Sequence, residues 1–329
     1  MVKYNRQLWI SNNGNISVSS VAYLINITLI LPIIDVLMLF FKKNKMFIII
    51  TLLLLGWVII CGLQYKKDLL EKERRFNEAV EECNNSEEKW CEGLKNQKFV
   101  APDTLTIYFY IISNYSISYI QWLAPLFIIT ATVWLWHKKM HSGFIKDELI
   151  RSDYKKVLRK NLLTSIKSCM ILPFVFLVLF GLCYLISGHF NITDSQQVGI
   201  NIEFLDNIPK LMFIYFIVIF LHSIFYACLG LLFCKKSKNI LITIVSAYLC
   251  FLMIDIVSEI FIGGLLLPIL GFSNFSSIFN LLGIWIYCDY PNYSSILVLS
   301  TVIAILSIIV LVFAYRDKEE VLLRIEKQC

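Results

Sequence analysis

Two carboxylates, Asp255 and Glu259, stand inside an otherwise apolar run, SAYLCFLMIDIVSEIFIGG. Carboxylates within a membrane-spanning segment are costly and are candidates for a translocation path. Their spacing of four residues predicts that both lie on one face of a helix. Counted from Asn239 at 1.5 Å per residue, they lie roughly 24 and 30 Å along that helix, near its far interface. Two interpretations stay open: they reach outer water, or they line the path.

Side chains suited to soluble catalysis or metal binding are scattered. None of the four histidines, His137, His141, His189 and His222, has a carboxylate or cysteine at metal-ligand spacing. No Gly-Lys dipeptide occurs, so the chain lacks a phosphate-binding P-loop. We therefore expect no metal, no bound cofactor and no enzymatic activity of its own.

Two of the ten cysteines, Cys83 and Cys91, occur in a polar segment. They could form a disulfide if that segment faces an oxidising compartment. The other eight lie mostly in apolar runs and are expected to be small core residues.

The elements that would position these residues are transmembrane helices. Of 329 residues, 58% are hydrophobic and only 16% are charged, a balance typical of an integral membrane protein. A crossing needs about 20 apolar residues. The five clearest runs are 46–65, 106–136, 162–187, 211–234 and 295–315. A sixth run, 239–270, is expected to span as far as Gly263 and Gly264 and then turn. The sequence thus predicts an all-α polytopic bundle of about six spans plus a hydrophobic N-terminal helix.

The N-terminal segment, residues 1–45, contains an apolar run at 21–41. Pro32, near the middle of that run, permits a break, so the run either crosses the membrane or re-enters on the same side. It does not resemble a cleavable signal sequence, because twenty mostly polar residues precede it.

The distribution of basic residues predicts the orientation. Eight Lys or Arg residues lie in 137–161, whereas 188–209 and 271–294 contain none. By the positive-inside rule the Lys-rich loops and the tail 316–329 are cytoplasmic, as in a multi-pass plasma-membrane protein. The segment 64–105 must then face outward although it holds eight basic residues, beside ten acidic ones.

Within that outer segment, residues 66–100 carry a helical pattern. Leu69, Phe76, Val80 and Cys83 recur at a spacing that predicts an amphipathic helix, which rises from the membrane or lies on it. It is either a solvated cap or a gate for a substrate or partner.

The loop 137–161 has two interpretations. Its basic residues, Lys155, Lys156, Arg159 and Lys160, could anchor it near anionic membrane lipid. Apolar residues interleaved with acidic ones in SGFIKDELIR, residues 142–151, better suit a surface that binds a soluble partner.

This loop resembles that of the type-2 ATP-binding cassette (ABC) exporter permeases of low-GC Gram-positive bacteria. In that family a proline-containing apolar run, here WLAPLFIITATVWLW, precedes such a Ser-Gly-Phe-Ile-Lys loop with its arginine, and YACLGLLFCKKSKN is similar to the end of its fourth span. The resemblance covers roughly 106–315 in layout, within a permease domain at 46–315. It implies contact with a cytoplasmic ATPase by Ser142, Gly143, Phe144, Ile145, Glu148, Arg151 and Tyr154.

The resemblance further implies a permease that couples ATP hydrolysis to export. Separate ATPase subunits would bind ATP, a second permease, identical or homologous, would complete the path, and 264–290 would form an outer re-entrant turn. Nucleic acid is not an expected partner. The alternatives are a polytopic sensor or immunity protein that binds a peptide without transport, and, with less support, a membrane-embedded enzyme.

Overall fold

The structure is a computed structural model. It describes residues 45–84, 98–99, 102–114, 118–141, 148, 153–188, 208–235, 237, 239–272, 281 and 293–316. The chain divides into two units, Met1–Lys45 and Met46–Cys329, and the description below concerns the second. The predicted N-terminal helix at 21–41 lies outside the described residues.

Every regular element in the described part of the chain is helical, which confirms the predicted all-α fold. Within the described residues, five helices are long and apolar enough to cross a membrane. In chain order we label the helices α1 Lys45–Asn84, α2 Thr104–Asn114, α3 Ser118–His141, α4 Tyr154–Ser187, α5 Ile208–Cys234, α6 Ile240–Ile269 and α7 Tyr293–Ala314.

Helix α5 forms the centre of the bundle. It packs against α3, α6 and α7. In its most apolar 18-residue stretch 67% of the residues are buried, whereas the same share is 28–39% in the other four candidate spans. The face of α7 toward the bundle is a stripe of small residues, Ser300, Ala304 and Ser307. Small residues let helix backbones approach closely, which is how helices associate where lipid removes the hydrophobic driving force.

The outer surfaces of α1, α6 and α7 are apolar. Leu52, Ile60, Phe261 and Phe313 are each more than 60% exposed, and similar residues surround them. A soluble monomer rarely exposes so large an apolar surface. These surfaces, together with the five long apolar helices, identify a multi-pass membrane protein.

Helix α1 joins the first span to the predicted outer helix without a break. Its 40 residues extend roughly 60 Å, about twice the thickness of a bilayer core. Leu69, Phe76 and Val80 are half-buried and Cys83 is fully buried, and the Phe76 and Phe99 rings lie 5.8 Å apart. The predicted amphipathic face is therefore confirmed, and the helix rises from the bundle.

The sequence predicted one span over 106–136, but the structure divides this run into two helices. Helix α2 ends at Asn114 and α3 begins at Ser118. The polar residues of the sequence Asn-Tyr-Ser at this point interrupt the apolar run, and 31 residues in one helix would exceed the bilayer thickness. α3, with 24 residues, is long enough to cross, and α2 packs against the second half of α4.

The predicted turn after Gly263 and Gly264 is wrong. Helix α6 continues through a π-helical segment, Ser258–Leu266, and ends at Ile269. Gly271 instead adopts the left-handed conformation, with φ of 80°, and the Phe272 N–H donates to the Leu267 carbonyl at 2.8 Å. A continuous helix keeps backbone groups hydrogen-bonded where lipid offers no partner. Most of 264–290 lies outside the described residues, so a re-entrant turn there stays a prediction.

The predicted orientation is testable by thiol labelling. With native cysteines removed, a cysteine at Ser237 should resist an impermeant thiol reagent in intact cells, because 235–238 belongs to the Lys-rich side. A cysteine at Ser276, on the Lys-free side, should react. Equal labelling of both positions would overturn the orientation.

Candidate functional site

One buried tyrosine connects the ends of four helices. Tyr315 directly follows α7 and is fully buried. Its hydroxyl donates to the Leu231 carbonyl of α5 at 2.8 Å and accepts from Trp136 Nε1 of α3 at 3.1 Å. The Trp136 and Tyr315 rings also meet edge to face, 5.7 Å apart. The hydroxyl thus uses donor and acceptor capacity on two different helices.

The C-terminal carbonyls of α7 find partners at the same place. Tyr154, the first residue of α4, donates its hydroxyl proton to the Tyr315 carbonyl at 2.8 Å. Lys235 Nζ, at the end of α5, donates to the Ala314 carbonyl at 2.6 Å. The last carbonyls of a helix have no intrahelical partner, and a cation there also opposes the negative end of the helix dipole. These bonds fix the end of α7.

We call the set Trp136, Tyr154, Leu231, Lys235 and Tyr315 the Tyr315 cluster. Trp136 is five residues before the end of α3, and Tyr154 begins α4, so the cluster joins both flanks of the loop 142–152 to α5 and α7. It brings together four helix ends that the positive-inside rule places on one side of the membrane.

Two of the predicted loop residues are described. Glu148 is helical, and its carboxylate accepts from Lys160 Nζ of α4 at 2.8 Å, with the glutamate side chain only 19% exposed. Tyr154 is buried in the Tyr315 cluster. Glu148 is therefore paired with α4 and Tyr154 with the end of α7. Contact of either residue with an ATPase stays a prediction.

The remaining loop residues, Ser142, Gly143, Phe144, Ile145 and Arg151, lie outside the described residues. Their proposed contact with an ATPase stays a prediction.

Below the loop, α4 contacts α3 through buried hydroxyls. The Thr132 hydroxyl of α3 and the Ser168 hydroxyl of α4 lie 2.7 Å apart, oxygen to oxygen. Ser168 belongs to a 3₁₀ segment of α4, Lys167–Met170. A short 3₁₀ segment in the middle of a helix often marks a hinge. The first turns of α4 are thus separated from its membrane-spanning second half by a local change of helix type.

The two carboxylates of α6 occupy different surroundings. Asp255 is buried, with 5% of its surface exposed, whereas Glu259, in the π-helical segment, is exposed. Their spacing predicted that both side chains share one face of the helix, but one is buried and the other is exposed. A role for either residue in a translocation path stays a prediction.

Histidine, cysteine and carboxylate side chains are scattered over the part of the chain that is described. No three His, Cys, Asp or Glu side chains there come together in a way that could hold a metal ion. His222 is buried, and its Nε2 lies 3.1 Å from the Ser300 hydroxyl of α7. This contact makes His222 a packed polar residue between α5 and α7.

Cys83 is disulfide-bonded. Cys91 lies outside the described residues, so its pairing with Cys83 stays a prediction. Of the other described cysteines, Cys61, Cys169, Cys183, Cys228 and Cys234 are buried thiols, and Cys250 is a half-buried thiol.

Sequence reasoning missed the Tyr315 cluster. One signal was present, because an aromatic residue stands beside cations where two apolar runs end, as Trp136 in WHKK and Tyr315 in YRDK. Aromatic residues concentrate at membrane interfaces.

No protein-family model, no curated protein and no solved structure matches this chain.

Proposed function

We propose that this protein is the membrane permease subunit of an ATP-driven exporter. The observation that carries the proposal is the Tyr315 cluster, which connects both flanks of the loop 142–152 to α5 and α7. A force applied to that loop by a cytoplasmic partner would reach four helices through hydrogen bonds of 2.6–3.1 Å. A permease that lacks its own ATPase needs such a connection.

In this mechanism separate ATPase subunits bind and hydrolyse ATP, and the chain supplies the path. The ATPase contacts Gly143, Phe144 and Arg151, while Glu148 and Tyr154 hold the loop in position. Movement of the loop shifts the inner ends of α3 and α4 relative to α5. A second permease completes the path, and access alternates between the two sides of the membrane. Asp255 is the candidate residue for the path because it is buried in α6.

The test replaces the two residues expected to contact the ATPase. Phe144→Ala and Arg151→Glu should each weaken association with the ATPase about 30-fold, since truncation of an aromatic or charged anchor often costs about 2 kcal/mol. The measurement is the amount of ATPase, identified by its own P-loop, that co-purifies with the chain from native membranes, together with ATP turnover of the complex.

Two matched variants control for nonspecific damage. Phe313→Ala removes a phenylalanine that is 64% exposed on α7, and Arg74→Glu reverses a charge that is exposed on α1. Both should leave association and turnover unchanged. Loop variants that bind the ATPase and support turnover as the natural chain does would refute the proposal.

A second candidate function is a peptide sensor without transport. The observation in its favour is the outer half of α1, which extends well beyond a bilayer and carries the disulfide-bonded Cys83. A chain that purifies without any ATPase, and whose Phe144→Ala variant retains full biological activity, would favour the sensor over the exporter.

A further inference from the structure

The face of α4 that points away from the bundle forms an open basic groove of about 670 Å³. Five of its seven lining residues are cations, and we use four of them in the argument, Lys156, Arg159, Lys160 and Lys167, with the apolar Leu163 between them. All five of these side chains are exposed.

The direction of the groove follows from how α4 packs. Tyr154, Val157, Leu162 and Ser165 are buried against the bundle, so the remaining face of the helix points away from it. Residues 156, 160, 163 and 167 follow one another at the three- and four-residue spacing of a single helix face. The cations therefore form one stripe, roughly 16 Å long at 1.5 Å per residue.

The positive charge of the stripe is only partly balanced. Glu148 pairs with Lys160 at 2.8 Å, whereas Lys156 and Arg159 form no ion pair with a described carboxylate. Like charges three or four residues apart on a helix repel one another. An anion in the groove would remove that repulsion, and the arginine offers the forked geometry that suits a phosphate.

Leu163 and Lys167 distinguish a lipid from a soluble anion. Leu163 is 52% exposed in the middle of the groove, and Lys167 lies one turn deeper, where the apolar part of α4 has begun. A helical side chain leans toward the N-terminus of its helix, so the Lys167 stem crosses the apolar surface and its ammonium returns toward the interface. A site that combines phosphate-binding cations with exposed apolar surface at a membrane interface suits an anionic phospholipid.

We propose that this groove binds the headgroup phosphate of an anionic phospholipid of the cytoplasmic leaflet. Arg159 and Lys156 contact the phosphate, Lys167 approaches it from the membrane side, and an acyl chain lies along Leu163. The site concerns the lipid-facing surface of α4 and does not depend on the proposed exporter function.

The test measures lipid binding to the full chain. Protein purified in detergent and stripped of lipid is titrated with phosphatidylglycerol, and the first bound lipid is followed by native mass spectrometry. The double variant Lys156→Gln, Arg159→Gln should bind about 25-fold more weakly, roughly fivefold for each cation removed from an anionic surface. Lys156→Arg, which keeps the charge, should bind as the natural chain does.

The matched control removes two exposed cations elsewhere. Lys66→Gln, Lys67→Gln on the outer half of α1 has the same change in charge and should leave the tightest phosphatidylglycerol site unaltered. If the double variant in α4 aggregates, each single variant should still show about a fivefold loss. Phe144→Ala should retain full lipid binding, which separates this proposal from the exporter.

Three results would each overturn the proposal. The double variant could bind phosphatidylglycerol as tightly as the natural chain does. Phosphatidylcholine, which has no net charge, could bind the natural chain equally well. Millimolar inorganic phosphate or glycerol phosphate could displace the lipid completely, which would assign the groove to a free phosphate.

Discussion

Replacing Tyr315 by alanine is expected to lower the free energy of unfolding by about 3–5 kcal/mol, the usual loss for a buried aromatic side chain truncated to alanine. Tyr315 is fully buried, and the change removes its ring from Trp136 and both hydroxyl hydrogen bonds. Trp136 Nε1 and the Leu231 carbonyl would then be buried without this partner. The measurement is reversible unfolding by dodecyl sulfate in mixed micelles, followed by circular dichroism.

A second variant isolates the hydroxyl group. Tyr315→Phe keeps the ring and removes only the two hydrogen bonds, so we expect a loss of about 1–3 kcal/mol, the cost of leaving a buried polar group unsatisfied. If the chain is the proposed permease, both variants should also uncouple ATP turnover from association with the ATPase, because the loop flanks lose their connection to α5.

Matched tyrosines provide the controls. Tyr184→Ala removes a side chain that is 46% exposed, and Tyr248→Phe removes one exposed hydroxyl that donates to the Trp122 carbonyl at 2.9 Å. Each should change the free energy of unfolding by less than about 1 kcal/mol. Equal losses at Tyr315 and at its control would show that the Tyr315 cluster does not connect the helices energetically.

The helices themselves were largely predictable, since their signal is local. A run of about 20 apolar residues has few options in a bilayer other than a helix. The runs at 162–187 and 211–234 fall within observed helices, and the run at 295–315 extends one residue beyond α7. The amphipathic spacing of Leu69, Phe76 and Val80 also predicted the correct face of α1. Each of these inferences required only neighbours along the chain.

The errors arose where the position of a break depended on the rest of the molecule. Gly263 and Gly264 were expected to end α6, but glycine is tolerated within a helix whose backbone has no water to bond. The left-handed cap fell at Gly271 instead. Likewise 106–136 was counted as one span, whereas the structure divides it into α2 and α3.

The Tyr315 cluster was beyond sequence reasoning for a different reason. Trp136 and Tyr315 are 179 positions apart, and Leu231 and Tyr315 are 84 apart. Periodicity reports which face of a helix is buried, but it does not report which distant side chain it meets. The loop residues with the clearest sequence signal, Phe144 and Arg151, lie outside the described residues, whereas the Tyr315 cluster that joins the flanks of that loop carried almost no signal.

The contact between α3 and α5 provides the last prediction, because in the proposed mechanism movement of the loop reaches the centre of the bundle there. Gly230 of α5 faces α3 so closely that an added Cβ would lie 3.0 Å from Val133 Cγ2, 3.4 Å from Ile129 Cγ2 and 3.5 Å from the Ile129 carbonyl oxygen. A leucine there must separate the two helices or distort their side chains.

Gly230→Leu is therefore expected to lower the free energy of unfolding by about 3 kcal/mol, at the upper end of the range for overpacking a tight interior. The matched variant is Gly181→Leu in α4, where an added Cβ meets nothing within 4 Å. Both changes replace a helical glycine by a better helix former, a gain of up to about 1 kcal/mol, so Gly181→Leu should be neutral or stabilising. The same dodecyl sulfate unfolding measurement compares the two. If Gly230→Leu proves as stable as Gly181→Leu, then α3 and α5 do not pack closely at Gly230. The proposed mechanism would then have no contact at Gly230 through which the loop could move α5.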